Sequence, residues 1–214
     1  MKQAPKPDND ITWARRLAAL AQTQLTFAKD EYDRERGAEL QQLAADMMAA
    51  STDVSQAHWQ TIFENESGYA TPKVDVRGAI FKDGKVLLSR ELKDGCWSLP
   101  GGWADVNDTP SEAVIREVLE ETGYPVRCTK LAAVLDRDLH YKTETTHTHP
   151  FHIYKLLFLC EITGEPGELC HDITDAAFFD LNDLPELSLH RTLPAHIELL
   201  WVHQQNPDLP TQFD

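Results

Sequence analysis

Glu117, Glu120 and Glu121 stand at i, i+3 and i+4 within GGWADVNDTPSEAVIREVLEETGY, residues 101–124. On an α-helix that spacing puts the three carboxylates on one face. Val114, Ile115, Val118, Leu119 and Thr122 cover most of the opposite side, which would pack on a sheet. A solvated acidic face is the plain reading, and two local penalties argue against it. Glu117 and Glu121 are like charges one turn apart, which costs a helix roughly 0.2–0.5 kcal/mol. All three also fall in the last two turns before Gly123, where the negative end of the helix dipole disfavours anions. A segment that breaks two local rules together often marks a functional site. A divalent cation would reverse both penalties, and hard carboxylate oxygens suit Mg²⁺ or Mn²⁺.

Such a helix needs a frame to hold it. Its spacing predicts a span of about 110–122, with Gly123 as the stop. Before it, residues 74–81 read as a strand, Asp83-Gly84 marks a hairpin turn, and Val86-Leu87-Leu88 returns. A loop rich in Gly, Pro and Trp over 95–108 leads into the helix. Later strands are expected over 126–135, 152–162 and 176–180, and a last helix over 193–204. Strands and helices mixed without strict alternation predict an α+β or mixed-sheet α/β domain. Upstream the period is helical throughout: Ile11, Ala14, Leu17, Ala18, Ala21 and Leu25, then Leu40, Leu43, Ala44 and Met47, then Trp59, Ile62 and Phe63. Asp30 is placed to cap the second of these helices. Residues 8–66 are thus expected to form a small all-helical domain, 67–72 a linker, and 73–205 the second domain.

Lys and Arg total 20 against 35 Asp and Glu, a formal charge of −15. That balance argues against nucleic-acid or anionic-membrane binding, which relies on a basic patch. No apolar run approaches the ~18 residues of a membrane span, the densest being Leu156-Leu157-Phe158-Leu159-Cys160. Met1 to Asp10 has no apolar core, and Cys96, Cys128, Cys160 and Cys170 are scattered. Both features fit a cytoplasmic protein with reduced thiols. An anionic substrate would need a cation or a few local arginines.

The 101–124 segment resembles the signature box of the Nudix hydrolases, G-x5-E-x7-R-E-U-x-E-E-x-G-U, where U is a bulky apolar residue. Gly102, Arg116, Glu117, Val118, Glu120, Glu121 and Gly123 fall in register; Tyr124 fills the last apolar position, and Asp108 replaces the first glutamate. LAQT (20–23), FAKDEYDRER (27–36), LPGGWADV (99–106), LDRD (135–138) and HPFHIYK (149–155) are similar to a subfamily with a helical domain in front. That subfamily acts on nucleoside diphosphates linked to another group, such as CDP-choline or ADP-ribose. The resemblance implies a Nudix α/β/α sandwich with a mixed sheet, preceded by the all-helical domain. It also implies metal-assisted attack of water on a pyrophosphate, releasing a nucleoside monophosphate and X-phosphate. Glu117, Glu120 and Glu121 would then bind Mg²⁺, with Mn²⁺ as a substitute, and the Gly102 carbonyl would join them. Arg116 would orient Glu117, and Glu117 or an acid outside the box would serve as base. Asp108 keeps the charge of the residue it replaces, one methylene shorter.

Outside the box, Arg90 and Arg137 follow strands and offer planar forks for a phosphate; ordinary surface salt bridges are the alternative. Asp172 and Asp175 precede the 176–180 strand, where related sequences carry glutamates, and a solvated loop fits them as well. His140, His147, His149 and His152 gather around the polar loop 138–149, which reads as a lid over the non-nucleotide half of the substrate. Structural zinc is disfavoured there, because no Cys or Asp partner has the spacing. The helical domain is too small to bury much alone and is expected to mediate a homodimer. Two rival readings stay open. One is a catalytically silent ADP-ribose sensor, against which the intact Arg116-Glu117 and Glu120-Glu121 pairs count. The other is hydrolysis of nucleoside triphosphates or dinucleoside polyphosphates.

Overall fold

Ile11, Ala14 and Ala18 recur at helical spacing on α1 (Asp10–Phe27) and pack against Ala44, Ala45 and Met48 of α2 (Glu31–Ala50). Trp59 and Phe63 of α3 (Gln56–Glu64) complete that cluster, and the Trp59 indole donates to Thr52 Oγ1 at 3.0 Å. Asp30 caps α2 as expected, its Oδ1 accepting from Asp33 N at 2.8 Å, and Ser55 caps α3. In this computed structural model, residues 10–141 and 149–214 are described. They divide into two units. The three helices belong to the first, residues 10–73 with 149–152; the second comprises 74–141 and 153–214.

The second unit is built on β1 (Lys73–Ala79), β2 (Phe81–Lys82), β3 (Lys85–Glu91), β4 (Trp97–Ser98), β5 (Val126–Asp136), β6 (Ile153–Ile162), β7 (Ile173–Asp180) and β8 (Gln212–Phe213). One sheet runs β1-β6-β5-β8; it is mixed, with β5 antiparallel to β6 and parallel to β8. In the other, β3 pairs with β2 and β4 and, along its opposite edge, with β7, all antiparallel. Three helices complete the unit: α4 (Pro110–Thr122), α5 (Arg137–His140) and α6 (Pro194–Gln205).

Strand alternation sorts the core into two layers, because successive side chains point to opposite faces. Val86 and Leu88 of β3, with Leu157 and Leu159 of β6, meet Ile197 and Leu200 of α6. Leu87 of β3, with Phe158 and Cys160 of β6, meets Ala113, Val114 and Val118 of α4. This is the helix–sheet–helix layering of the expected sandwich. β7 begins three residues earlier than its apolar stretch suggested, and the short β8 was not foreseen. No helix among the described residues is long and apolar enough to cross a membrane.

Candidate active site

α4 is defined at both ends by its own residues. Thr109 and Glu112 form a reciprocal capping box: Glu112 N donates to Thr109 Oγ1 at 3.3 Å, and Thr109 N donates to Glu112 Oε2 at 2.9 Å. Gly123 closes the helix in the left-handed region, φ 72°, where its N–H reaches Leu119 O. The helix therefore starts and stops where the carboxylates need it to.

Glu117 is 15% exposed and Glu120 51%. Arg116 holds the acidic cluster together. It donates to Glu117 Oε1 at 2.8 Å, Asp108 Oδ2 at 3.2 Å and Glu120 Oε2 at 3.3 Å, and pairs with Asp105. Burial works against its charge, but the bonds to Asp108 and Glu117 outweigh that and raise its pKa. Asp108 thus anchors the arginine that positions Glu117. For Glu117 itself, burial outweighs the arginine and pushes the carboxyl above the usual range.

Glu121 lies deeper. Ser89 Oγ donates to its Oε2 at 2.8 Å and Gly101 N to the same oxygen at 3.2 Å; Oε1 has no hydrogen-bond partner among the described residues. Burial pushes its pKa up to about 7, partly offset by the Arg77 guanidinium and the Ser89 bond, while Glu117 adds to the rise. The Gly101–Gly102 turn is shaped around these carboxylates. Gly101 has φ 143°, and a Cβ there would stand 2.0 Å from Val76 O; one on Gly102 would stand 2.7 Å from Glu117 Oε2. The Gly102 carbonyl accepts from Val76 N at 2.8 Å, which leaves one lone pair for a further partner.

Behind Glu121 is a charged network that the sequence reading missed. Arg77 grips both oxygens of Asp75, at 3.1 and 2.9 Å, and donates to Leu99 O at 3.0 Å. Lys155 Nζ donates to Asp75 Oδ1 at 2.7 Å. All three residues are buried. Burial alone would raise the Asp75 pKa, yet Arg77 and Lys155 overcome it and hold the carboxyl well below its ordinary range. Burial lowers Lys155 to about 8 against the pull of Asp75. The signal was present: Asp75 and Arg77 alternate inside an apolar strand, so they share a face, and Lys155 immediately precedes the densest apolar run within a strand.

Of the residues predicted outside the box, Arg90, Asp172 and Asp175 gather at one end of the β3–β7 pairing, whereas Arg137 is on α5. Arg90 is exposed and its Nε donates to Gly95 O at 2.8 Å; across the β3–β7 ladder it faces Asp175. Asp175 is exposed and accepts from the following backbone N–H. Asp172 is exposed too, with its carbonyl bonded to Leu92 N, while neighbouring Cys170 N donates to Glu120 O at the end of α4. Arg137 is buried rather than on the surface: at the start of α5 its guanidinium stands 4.4 Å from the centre of the Tyr141 ring and 3.8 Å from Asp138 Oδ1. Of the histidine-rich loop, His140 Nε2 lies 2.8 Å from Asp214 Oδ1. His147 and most of the expected lid lie outside the described residues.

Clustered carboxylates on a capped helix, a two-glycine turn beneath them and an arginine binding them together define a Nudix-type centre. The chain belongs to the Nudix hydrolase family: the NUDIX domain model matches residues 71–200, and a model described as UDP-X-like, N-terminal oligomerisation domain matches residues 9–63. It is 41% identical over 201 residues to a putative ADP-ribose pyrophosphatase of Bacillus subtilis, covering 94% of this chain and 95% of that one. A solved UDP-X diphosphatase is 31% identical with a TM-score of 0.60, covering 95% and 97% of the two chains. An ADP-ribose pyrophosphatase from Streptococcus suis is 35% identical with a TM-score of 0.59, covering 67% of this chain and all of that one.

Proposed function

We propose that this Nudix hydrolase is a Mg²⁺-dependent pyrophosphohydrolase that cleaves a nucleoside diphosphate linked to a second group, with ADP-ribose, UDP-linked compounds and CDP-choline as the candidate substrates. The observation that carries the reading is the carboxylate cluster of Glu117, Glu120 and Glu121 on one face of α4. Its support on the substrate side is the full-length likeness to proteins named for ADP-ribose and UDP-X.

A hard divalent cation fits the residues present. Glu121 is a largely buried carboxylate, and the guanidinium that offsets its burial, Arg77, is already committed to Asp75, so the site is short of positive charge. Glu117, Glu120, Glu121 and the Gly102 carbonyl would hold the ion, all with oxygen donors. When bound, Mg²⁺ supplies charge neutralisation for phosphate oxygens and lowers the pKa of water. The chain's own part is positional. Arg116 fixes Glu117 through Oε1, while Ser89 and Gly101 fix Glu121 through Oε2. Glu117, held in place through Oε1, is the proposed acceptor of a proton from the attacking water, with an acid outside the box as the alternative. Arg90 and Arg137 are proposed phosphate contacts, and Asp172 or Asp175 a further acid.

The helical domain is proposed to form a homodimer. Supporting this, its family model is described as an oligomerisation domain, and Leu20, Phe27 and Tyr32 are each more than half exposed.

The test is nucleotide release from ADP-ribose, a UDP-linked sugar, CDP-choline, a nucleoside triphosphate and a dinucleoside polyphosphate, with Mg²⁺ and with EDTA. Cleavage led by one of the first three, abolished by EDTA and reduced at least ~100-fold in Glu121→Gln, is the expected outcome. Unchanged turnover in Glu121→Gln would discard the metal assignment. No turnover on any substrate, with ADP-ribose still bound, would discard the hydrolase reading.

A further inference from the structure

Cys128 on β5 and Cys160 on β6 are directly opposed partners in the antiparallel ladder. They are 32 residues apart in the chain, and their sulfurs lie 3.8 Å apart. Opposed residues on antiparallel strands have Cα atoms about 4.5–5.5 Å apart, inside the ~4.4–6.8 Å that a disulfide spans. Both are free thiols here. Closing the 3.8 Å gap to a bond asks for rotation of the two side chains with backbone adjustment. The ladder register shifts between Cys128 and Lys130, an irregularity that bends the strand and increases its local twist.

The two sulfurs are not equivalent. Cys160 is 4% exposed and belongs to the layer with Val114 and Val118 under α4. Cys128 is only half-buried. The hydrogen bond between them favours ionisation of Cys128, while that bond and burial oppose ionisation of Cys160. The accessible sulfur is therefore the nucleophile, and the sheltered one lies beside it to resolve the product.

We propose that Cys128 and Cys160 are a reversible disulfide site that a peroxide closes and a thiol reductant reopens. In the first step the Cys128 thiolate attacks one peroxide oxygen and the O–O bond breaks. With hydrogen peroxide this gives a sulfenic acid at Cys128 and, once a proton is taken up, one water. In the second step the Cys160 sulfur attacks the Cys128 sulfur; the S–O bond breaks, and a second water leaves with the Cys160 proton. Two thiols are oxidised by two electrons and one peroxide is reduced to two waters. The bridge ties β5 to β6 directly beneath the helix that carries the carboxylates. It also closes a long loop in the unfolded chain, which is worth a rise in Tm on the order of 5 °C.

The experiment treats the full chain with stoichiometric hydrogen peroxide, blocks remaining thiols, and maps the digest by mass spectrometry, with Tm measured in parallel. The expected result is a Cys128–Cys160 linked peptide pair about 2 Da lighter than its two thiols, a higher Tm, and reversal of both by dithiothreitol. Cys96→Ser should keep the bridge, and Cys128→Ala should lose it while keeping the circular dichroism of the parent. Sulfinic acid at Cys128 without a link, a bridge between chains through Cys96 or Cys170, or four intact thiols would each overturn the proposal. None of these readouts involves hydrolysis, so they stand apart from the substrate assay.

Discussion

Glu121 at the end of α4 and Asp75 on β1 are carboxylates drawn out of water within the same unit, and their surroundings take them in opposite directions. Asp75 receives both arms of Arg77 and the ammonium of Lys155, and stays ionised far below the ordinary range. Glu121 receives a hydroxyl and one backbone N–H, and burial lifts it to about 7. A buried charge that is fully partnered is part of the frame; one left short of countercharge is open to a ligand. Burial alone does not distinguish them. The count and sign of the partners does.

The largest expected effect breaks the compensated side. Asp75→Asn leaves Arg77 and Lys155 buried without their anion, and should cost about 3–5 kcal/mol of stability in urea unfolding. A loss under about 1 kcal/mol would mean that the network is not fully withdrawn from water and that the contrast with Glu121 is weaker than the geometry implies.

A smaller effect sharpens the uncompensated side. Glu121 has a folded pKa near 7 against an ordinary 4.5. Below about pH 4.5 it is protonated in both states and carries no penalty. Between there and pH 7 the unfolded chain gives up the proton more readily, so stability falls as pH rises and levels off above 7. Glu117 contributes with the same sign. In metal-free protein the Glu121 share should be on the order of 2 kcal/mol between pH 4.5 and 8. Glu121→Gln should flatten the urea-midpoint profile by that amount, and Mg²⁺ should restore stability to the parent at high pH. An identical profile in the two proteins would remove Glu121 from the uncompensated class.

The smallest effect concerns the helix that carries one side of the comparison. Thr109→Ala removes the capping hydroxyl of α4 and should cost about 1 kcal/mol. Because the carboxylates sit at the other end of the helix, turnover of the folded enzyme should change by less than about twofold, as read by kcat alongside thermal unfolding. A much larger fall in kcat would show that the entry turn also positions the site.

Much of the architecture was legible along the chain. The α4 span and its glycine stop, the Asp30 cap, the Asp83-Gly84 turn and the β5 and β6 stretches all rest on local signals, and local signals survive folding. The Glu117–Glu121 cluster was legible for the same reason, since helix geometry alone brings its members together. What escaped depends on partners distant in sequence. Ser89 meets Glu121 and Lys155 meets Asp75 only because sheet order places them so, and no periodicity encodes that. Cys128 and Cys160 read as scattered thiols until strand pairing set them face to face. The short β8 has little apolar pattern of its own; its pairing with β5 follows from the Thr211 hydroxyl reaching Leu131 O and Asp214 reaching Asp136 N.

The Gly101 turn has an evolutionary consequence. A Cβ at that position would collide with the main chain at Val76 O, so the glycine is demanded by backbone packing whatever chemistry the site performs. A lineage that abandoned catalysis would still be obliged to keep it, whereas half-exposed Glu120 would be free to drift. Among descendants of such a protein, a retained Gly101 therefore testifies only to a shared fold. Under the metal-binding role proposed for them, a retained Glu117, Glu120 and Glu121 together would testify that selection is still acting on that site.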